Sequence, residues 1–130
     1  MTLTLYIATA AVFLILDAIM LTLVMKPLFT RHIGPLMAEP IRIAPAALFY
    51  LAYVGGLVYL VSLPAMKTGA PIIVPALIIG LMAYGTYEFT SWAIMKDWHW
   101  TMVATDTLWG GTLTALSAWV GVAITRAIHG

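Results

Sequence analysis

Three carboxylic acids, Asp17, Glu88 and Asp106, stand inside stretches of sequence that otherwise carry almost no charge. An acid in such a place has few options: it exchanges a proton, binds a cation, accepts hydrogen bonds, or serves as a general acid or base. An ionised carboxylate at the centre of a bilayer costs about 3 kcal/mol on insertion scales, so three of them require compensation. No Lys or Arg lies within those stretches. What remains is protonation, hydrogen bonds from Tyr and Thr, a bound cation, a water-filled cavity, or a basic residue from another protein.

The elements that must position these acids follow from composition. A chain of 130 residues that is 63% hydrophobic and 8% charged has too few polar side chains to cover a water-facing surface, and must use lipid as solvent. With about 20 apolar residues per helical crossing, four crossings use nearly all of it. The expectation is an all-α membrane protein, a compact bundle of four transmembrane helices forming one domain over residues 1–130. Helices are predicted over residues 3–25, 46–63, 71–95 and 101–124. Lys26 and Pro27 close the first, Pro64 the second, and Lys96 with Asp97 the third. Residues 26–45, with Lys26, Arg31, Glu39, Arg42 and the prolines Pro27, Pro35, Pro40 and Pro45, read as an interfacial segment.

The first apolar run has no basic residue ahead of it and is too long for the core of a signal peptide, so it reads as a retained helix. Trp98, His99 and Trp100 read as an interface belt. Lys26, Arg31, Arg42 and Lys96 fall on one side of the membrane, against Lys67 and Arg126 on the other. The positive-inside rule then places both chain ends on the non-cytoplasmic side.

Other chemistries lose support. Without cysteine there is no disulfide, thiolate metal site or cysteine nucleophile. A net charge of +1 with no basic run gives no nucleic-acid surface. His32, His99 and His129 show no metal-ligand spacing, so no metal role is assigned. Phosphate loops, G-x-S-x-G elbows and H-E-x-x-H motifs are missing, and the cofactor, if any, stays unknown.

Helical rise places the acids in one layer. Asp17 lies nine residues before Lys26, Glu88 eight before Lys96, and Asp106 eight after Trp98, each roughly 12 Å from the same membrane face. Tyr53, Gly55 and Gly56 of the second helix reach that depth. Tyr84, Glu88 and Ser91 share one helical face, as do Asp106, Trp109 and Gly110. The series Gly110, Thr114, Ala118 and the pair Gly111, Ala115 allow close helix approach. Tyr50, Tyr53 and Tyr59 read first as packing and interface residues.

Several stretches carry a family resemblance: Leu16-Asp17-Ala18, Ala47-Leu48-Phe49-Tyr50 with Tyr53 and Gly56-Leu57, Tyr84-Gly85-Thr86-Tyr87-Glu88 with Thr90, and Asp106 followed by Trp109-Gly110. With these the chain resembles the small bacterial membrane proteins known only as domain of unknown function 2177. The resemblance implies a four-helix inner-membrane protein and brings no settled activity. Glu88 stands where relatives usually carry Asp, and Met20 where they often carry Trp.

Three classes of function fit. The first is proton-linked binding or transport of a small cation or amine, with Glu88 and Asp106 exchanging protons and Tyr84, Tyr87 and Trp109 shaping an aromatic pocket near Asp17 and Tyr53. The second is an intramembrane enzyme acting on a lipid or isoprenoid, whose mark would be an apolar cleft opening sideways to lipid at the acid layer. The third is an accessory subunit of a membrane complex. Expected partners are membrane lipids and either a second copy of the chain or a membrane-complex partner.

Overall fold

The computed structural model describes residues 1–37 and 42–129, and among these it is helical with no strand. Glu39 and Pro40 of the expected interfacial segment lie outside the described residues. Four helices are long and apolar enough to cross a membrane: α1 (Thr2–Leu36), α2 (Ile43–Thr68), α3 (Ile73–Ile94) and α4 (Trp100–His129). Their outward faces carry large apolar side chains such as Leu3, Leu23, Leu48 and Ile94, as a bundle solvated by lipid requires.

The fourth helix runs on to His129, beyond the expected residue 124, and the first two also pass their expected ends, for one shared reason. α1 runs past Lys26 and Pro27 through Lys26–Ile33 into a tight turn at Gly34–Leu36, and α2 runs past Pro64 to Thr68. Each proline follows a π-helical turn, Leu21–Met25 in α1 and Val58–Ser62 in α2. A proline ring normally clashes with the carbonyl four residues back. Here that carbonyl belongs to Leu23 or Leu60, inside the wider π turn, and each proline enters at the start of a renewed α-helical segment.

α2 ends at Gly69, whose φ of 72° and ψ of 20° is the left-handed conformation that glycine adopts without a Cβ penalty. Its N–H closes the helix on the Ala65 carbonyl at 3.0 Å. Pro75 sits in the first turn of α3, where its missing N–H costs no helical bond.

α4 is the central helix and packs most extensively against α3, then against α1. Its small residues permit the approach. A Cβ on Gly80 of α3 would strike the backbone of Gly110 and Gly111, and the ring of Tyr84 lies directly on Gly110. On the opposite flank, Gly121 of α4 leaves room only for Thr9 of α1. α2 leans on α1 through a cluster holding Phe13, Val54 and Val58, and meets α3 near their shared turn through Leu57, Val61 and Ala76. At the opposite end, Ile33 of α1 packs with Trp98, Met102 and Val103 ahead of and within α4.

Candidate functional site

Because α2 and α3 join at Gly69 and meet there, their separation toward the other end leaves a gap in the bundle wall. A cavity of about 420 Å³ fills it, a size that suits a small organic ligand. Its lining comes from all four helices: Asp17, Leu21, Met25 and Phe29 of α1, Ala46, Phe49, Tyr50 and Tyr53 of α2, Ala83, Tyr84 and Tyr87 of α3, and Asp106 of α4. The π turn of α1 contributes directly, since Leu21 and Met25 are its first and last residues. Phe49 on α2 and Tyr87 on α3 are 62% and 52% exposed and form the two lips, so the mouth faces sideways toward lipid.

The acids gather at the inner end. Asp17 is buried and accepts a hydrogen bond from the Trp109 indole N–H at 3.2 Å, with the Tyr50 phenol beside it. Asp106 is buried on the cavity wall, near enough for Asp17 to act on its charge. Glu88 is fully buried behind Asp106: its Oε1 accepts from the Trp98 indole N–H at 3.0 Å, and its carboxyl lies against that of Asp106. Two carboxyl groups in contact attract when one proton lies between them and repel when both are ionised. Glu88 Oε2 receives no hydrogen bond from any donor among the described residues, and the buried Tyr84 hydroxyl has no partner either.

Aromatic rings frame the acids. Tyr53 and Tyr84 meet edge to face with centroids 6.3 Å apart, Phe49 stacks on Tyr53 at 6.2 Å, and Tyr87 stands edge-on to Trp98 at 5.8 Å. The Tyr53 hydroxyl pairs with Thr114 Oγ1 at 2.9 Å, which fixes its ring at the back of the cavity. No Lys or Arg lies closer along the chain to any of the three acids than Lys96 is to Glu88, eight residues away. Electron-rich faces beside carboxyl groups, with no protein cation at that depth, make a place for a cation that the ligand brings.

Of the residues singled out from sequence, Asp17, Asp106, Tyr53, Tyr84 and Tyr87 line the cavity. Glu88 and Trp109 stand one layer behind, each touching a lining carboxyl. Tyr50, read from sequence as a packing residue, lines the cavity beside Asp17. Phe29 was hidden by the expectation that α1 ends at Lys26. Trp98, expected as a belt anchor, is instead buried between Phe29, Tyr87 and Glu88, while Trp100 is exposed.

The histidines also differ from their sequence picture. His32 and His99, far apart along the chain, stack with centroids 4.3 Å apart and planes 8° from parallel. Among the described residues no group of three or more His, Cys, Asp or Glu side chains is placed to hold a metal ion.

Residues 2–123 match the family model described as Predicted membrane protein (DUF2177), and the chain belongs to that family. No curated protein and no solved structure matches it.

Proposed function

We propose that this member of the family is a proton-linked binding protein for organic amines that moves them within, or across, a bacterial inner membrane. The observation that carries this reading is the position of Asp17 and Asp106 on the wall of an aromatic cavity, with Glu88 against Asp106. Binding an ammonium there displaces the proton that the acid pair holds, so ligand and proton alternate at one site. The basic residues of the first and third loops support a cytoplasmic placement for the end of the bundle nearest the acids, with both chain ends outside. A second copy of the chain is the partner most in keeping with so small a bundle.

The test is proton release in liposomes loaded with a pH-sensitive dye, on addition of hydrophobic amines. Wild-type protein is expected to move protons on ligand addition, and Glu88→Gln and Asp106→Asn are expected to lose that response. Proton movement unchanged in both variants overturns the reading.

The sideways mouth between Phe49 and Tyr87 also favours a second reading, an intramembrane enzyme acting on a lipid, with Asp17 and Asp106 as acid and base. A deletion strain with an altered lipid profile, restored by wild type and not by Asp17→Asn, would choose it.

A further inference from the structure

We infer that the ligand is a single-chain alkyl amine that enters from the bilayer, its ammonium head seated between Asp17 and Asp106 and its tail leaving between α2 and α3. This rests on the amine-binding reading above and goes beyond it by assigning the tail and the route.

The cavity is graded from inside to outside. Its carboxyl groups and the unpartnered Tyr84 hydroxyl belong to its buried end. Toward the mouth the wall is Leu21, Phe49 and Ala46, all exposed. A ligand that matches both ends has a polar head and an apolar body. Small residues share that wall, the exposed Ala46 on α2 and the half-buried Ala83 on α3, and they leave width for a chain beside the aromatic rings.

Charge selects the head. Asp17 and Asp106 have no protein cation at their depth, and Glu88, fully buried behind Asp106, keeps an oxygen that receives no hydrogen bond. A phosphate head would meet carboxyl groups and no cation. An alcohol brings no charge to take the place of the proton that the acids give up. A primary ammonium supplies both the charge and three N–H donors, enough for Asp17, Asp106 and the Tyr84 hydroxyl together.

Route follows from the opening. A ligand dissolved in water has no need of a mouth that faces lipid, whereas an amphiphile already concentrates in the bilayer, its tail at the depth of the acids and its head at the interface beside them. Referred to its concentration in water, the ligand then gains affinity with each methylene that holds it in the bilayer.

The experiment uses the full chain in lipid nanodiscs, with radiolabelled dodecylamine displaced by butylamine, octylamine, dodecylamine or dodecanol, in wild type, Ala46→Phe and Asp106→Asn. Expected are an affinity that rises by about tenfold or more from butylamine to dodecylamine, no displacement by dodecanol, and an Ala46→Phe variant weakened for dodecylamine alone. Ala46 is exposed at the mouth, so the larger ring leaves the fold unchanged. Affinity independent of chain length, with Ala46→Phe equal to wild type and Asp106→Asn defective, overturns the alkyl amine and the lateral route while amine binding stands. Equal binding by Asp106→Asn and wild type overturns both.

Discussion

The Trp98 indole N–H donates to Glu88 Oε1 at 3.0 Å, so the connection between α3 and α4 reaches back to hold the most buried acid in the molecule. The same ring is gripped edge-on by Phe29 at 5.3 Å and by Tyr87 at 5.8 Å. Trp98→Phe keeps a six-membered ring between those neighbours and removes the donor with the smaller ring that carries it. A buried acceptor left without its partner costs about 1–3 kcal/mol. The variant is therefore expected to melt several degrees below wild type in detergent, and Trp98→Phe combined with Glu88→Leu is expected to regain part of that loss. Additive losses in the double variant would show that the two residues act separately.

Glycine positions sort by what surrounds them. Gly80 faces the backbone of Gly110 and Gly111, which cannot step aside, whereas Gly56 has nothing within 4 Å of a built Cβ. Gly80→Ala is expected to force α3 and α4 apart, at about 1–3 kcal/mol and with a lower melting temperature. Gly56→Ala, in a helix interior, is expected to be neutral or slightly stabilising. Equal melting temperatures for the two variants would contradict the close packing of α3 on α4.

How far the sequence led can be followed residue by residue. The four spans were legible because each is a long apolar run, and the acids because charge inside such a run is conspicuous. That Asp17, Glu88 and Asp106 share one layer follows from helix rise and chain reversal, whereas their meeting at one cavity depends on how the helices are turned, which the sequence does not show. The extensions of α1 and α2 were hidden, since Pro27 and Pro64 carry the usual signal for a helix end and a π turn leaves no clear mark in sequence. The partner of Glu88 was hidden as well. Trp98 has the composition of an interface anchor, and only the fold of the loop turns its N–H inward.

The stack of His32 on His99 ties α1 to the start of α4, with Thr101 Oγ1 within 2.8 Å of His99 Nδ1 and 3.5 Å of His32 Nε2. Two imidazolium rings face to face repel, so the contact holds while at least one ring is neutral and is lost on acidification that charges both. A cysteine-reactive spin label on Thr30→Cys, paired with one on Asp97→Cys, both exposed and outside the histidine contact, is expected to report a longer distance at pH 5 than at pH 8. His99→Gln should abolish the change, and a distance unaffected by pH in the wild-type background would refute the latch.

Asp17 sets up a separation of folding from binding. Its Oδ1 accepts from Trp109 Nε1 at 3.2 Å, and an amide oxygen at the same position accepts equally well. Asp17→Asn is therefore expected to fold and melt close to wild type, while losing the charge that an ammonium ligand needs. Asp17→Leu leaves the Trp109 N–H without an acceptor, at about 1–3 kcal/mol, and should melt lower. Amine binding and melting, measured side by side on the two variants, are expected to diverge: both lose binding, and only the leucine variant loses stability. Retained binding in Asp17→Asn would move the ligand's charge away from α1 and onto Asp106 with Glu88.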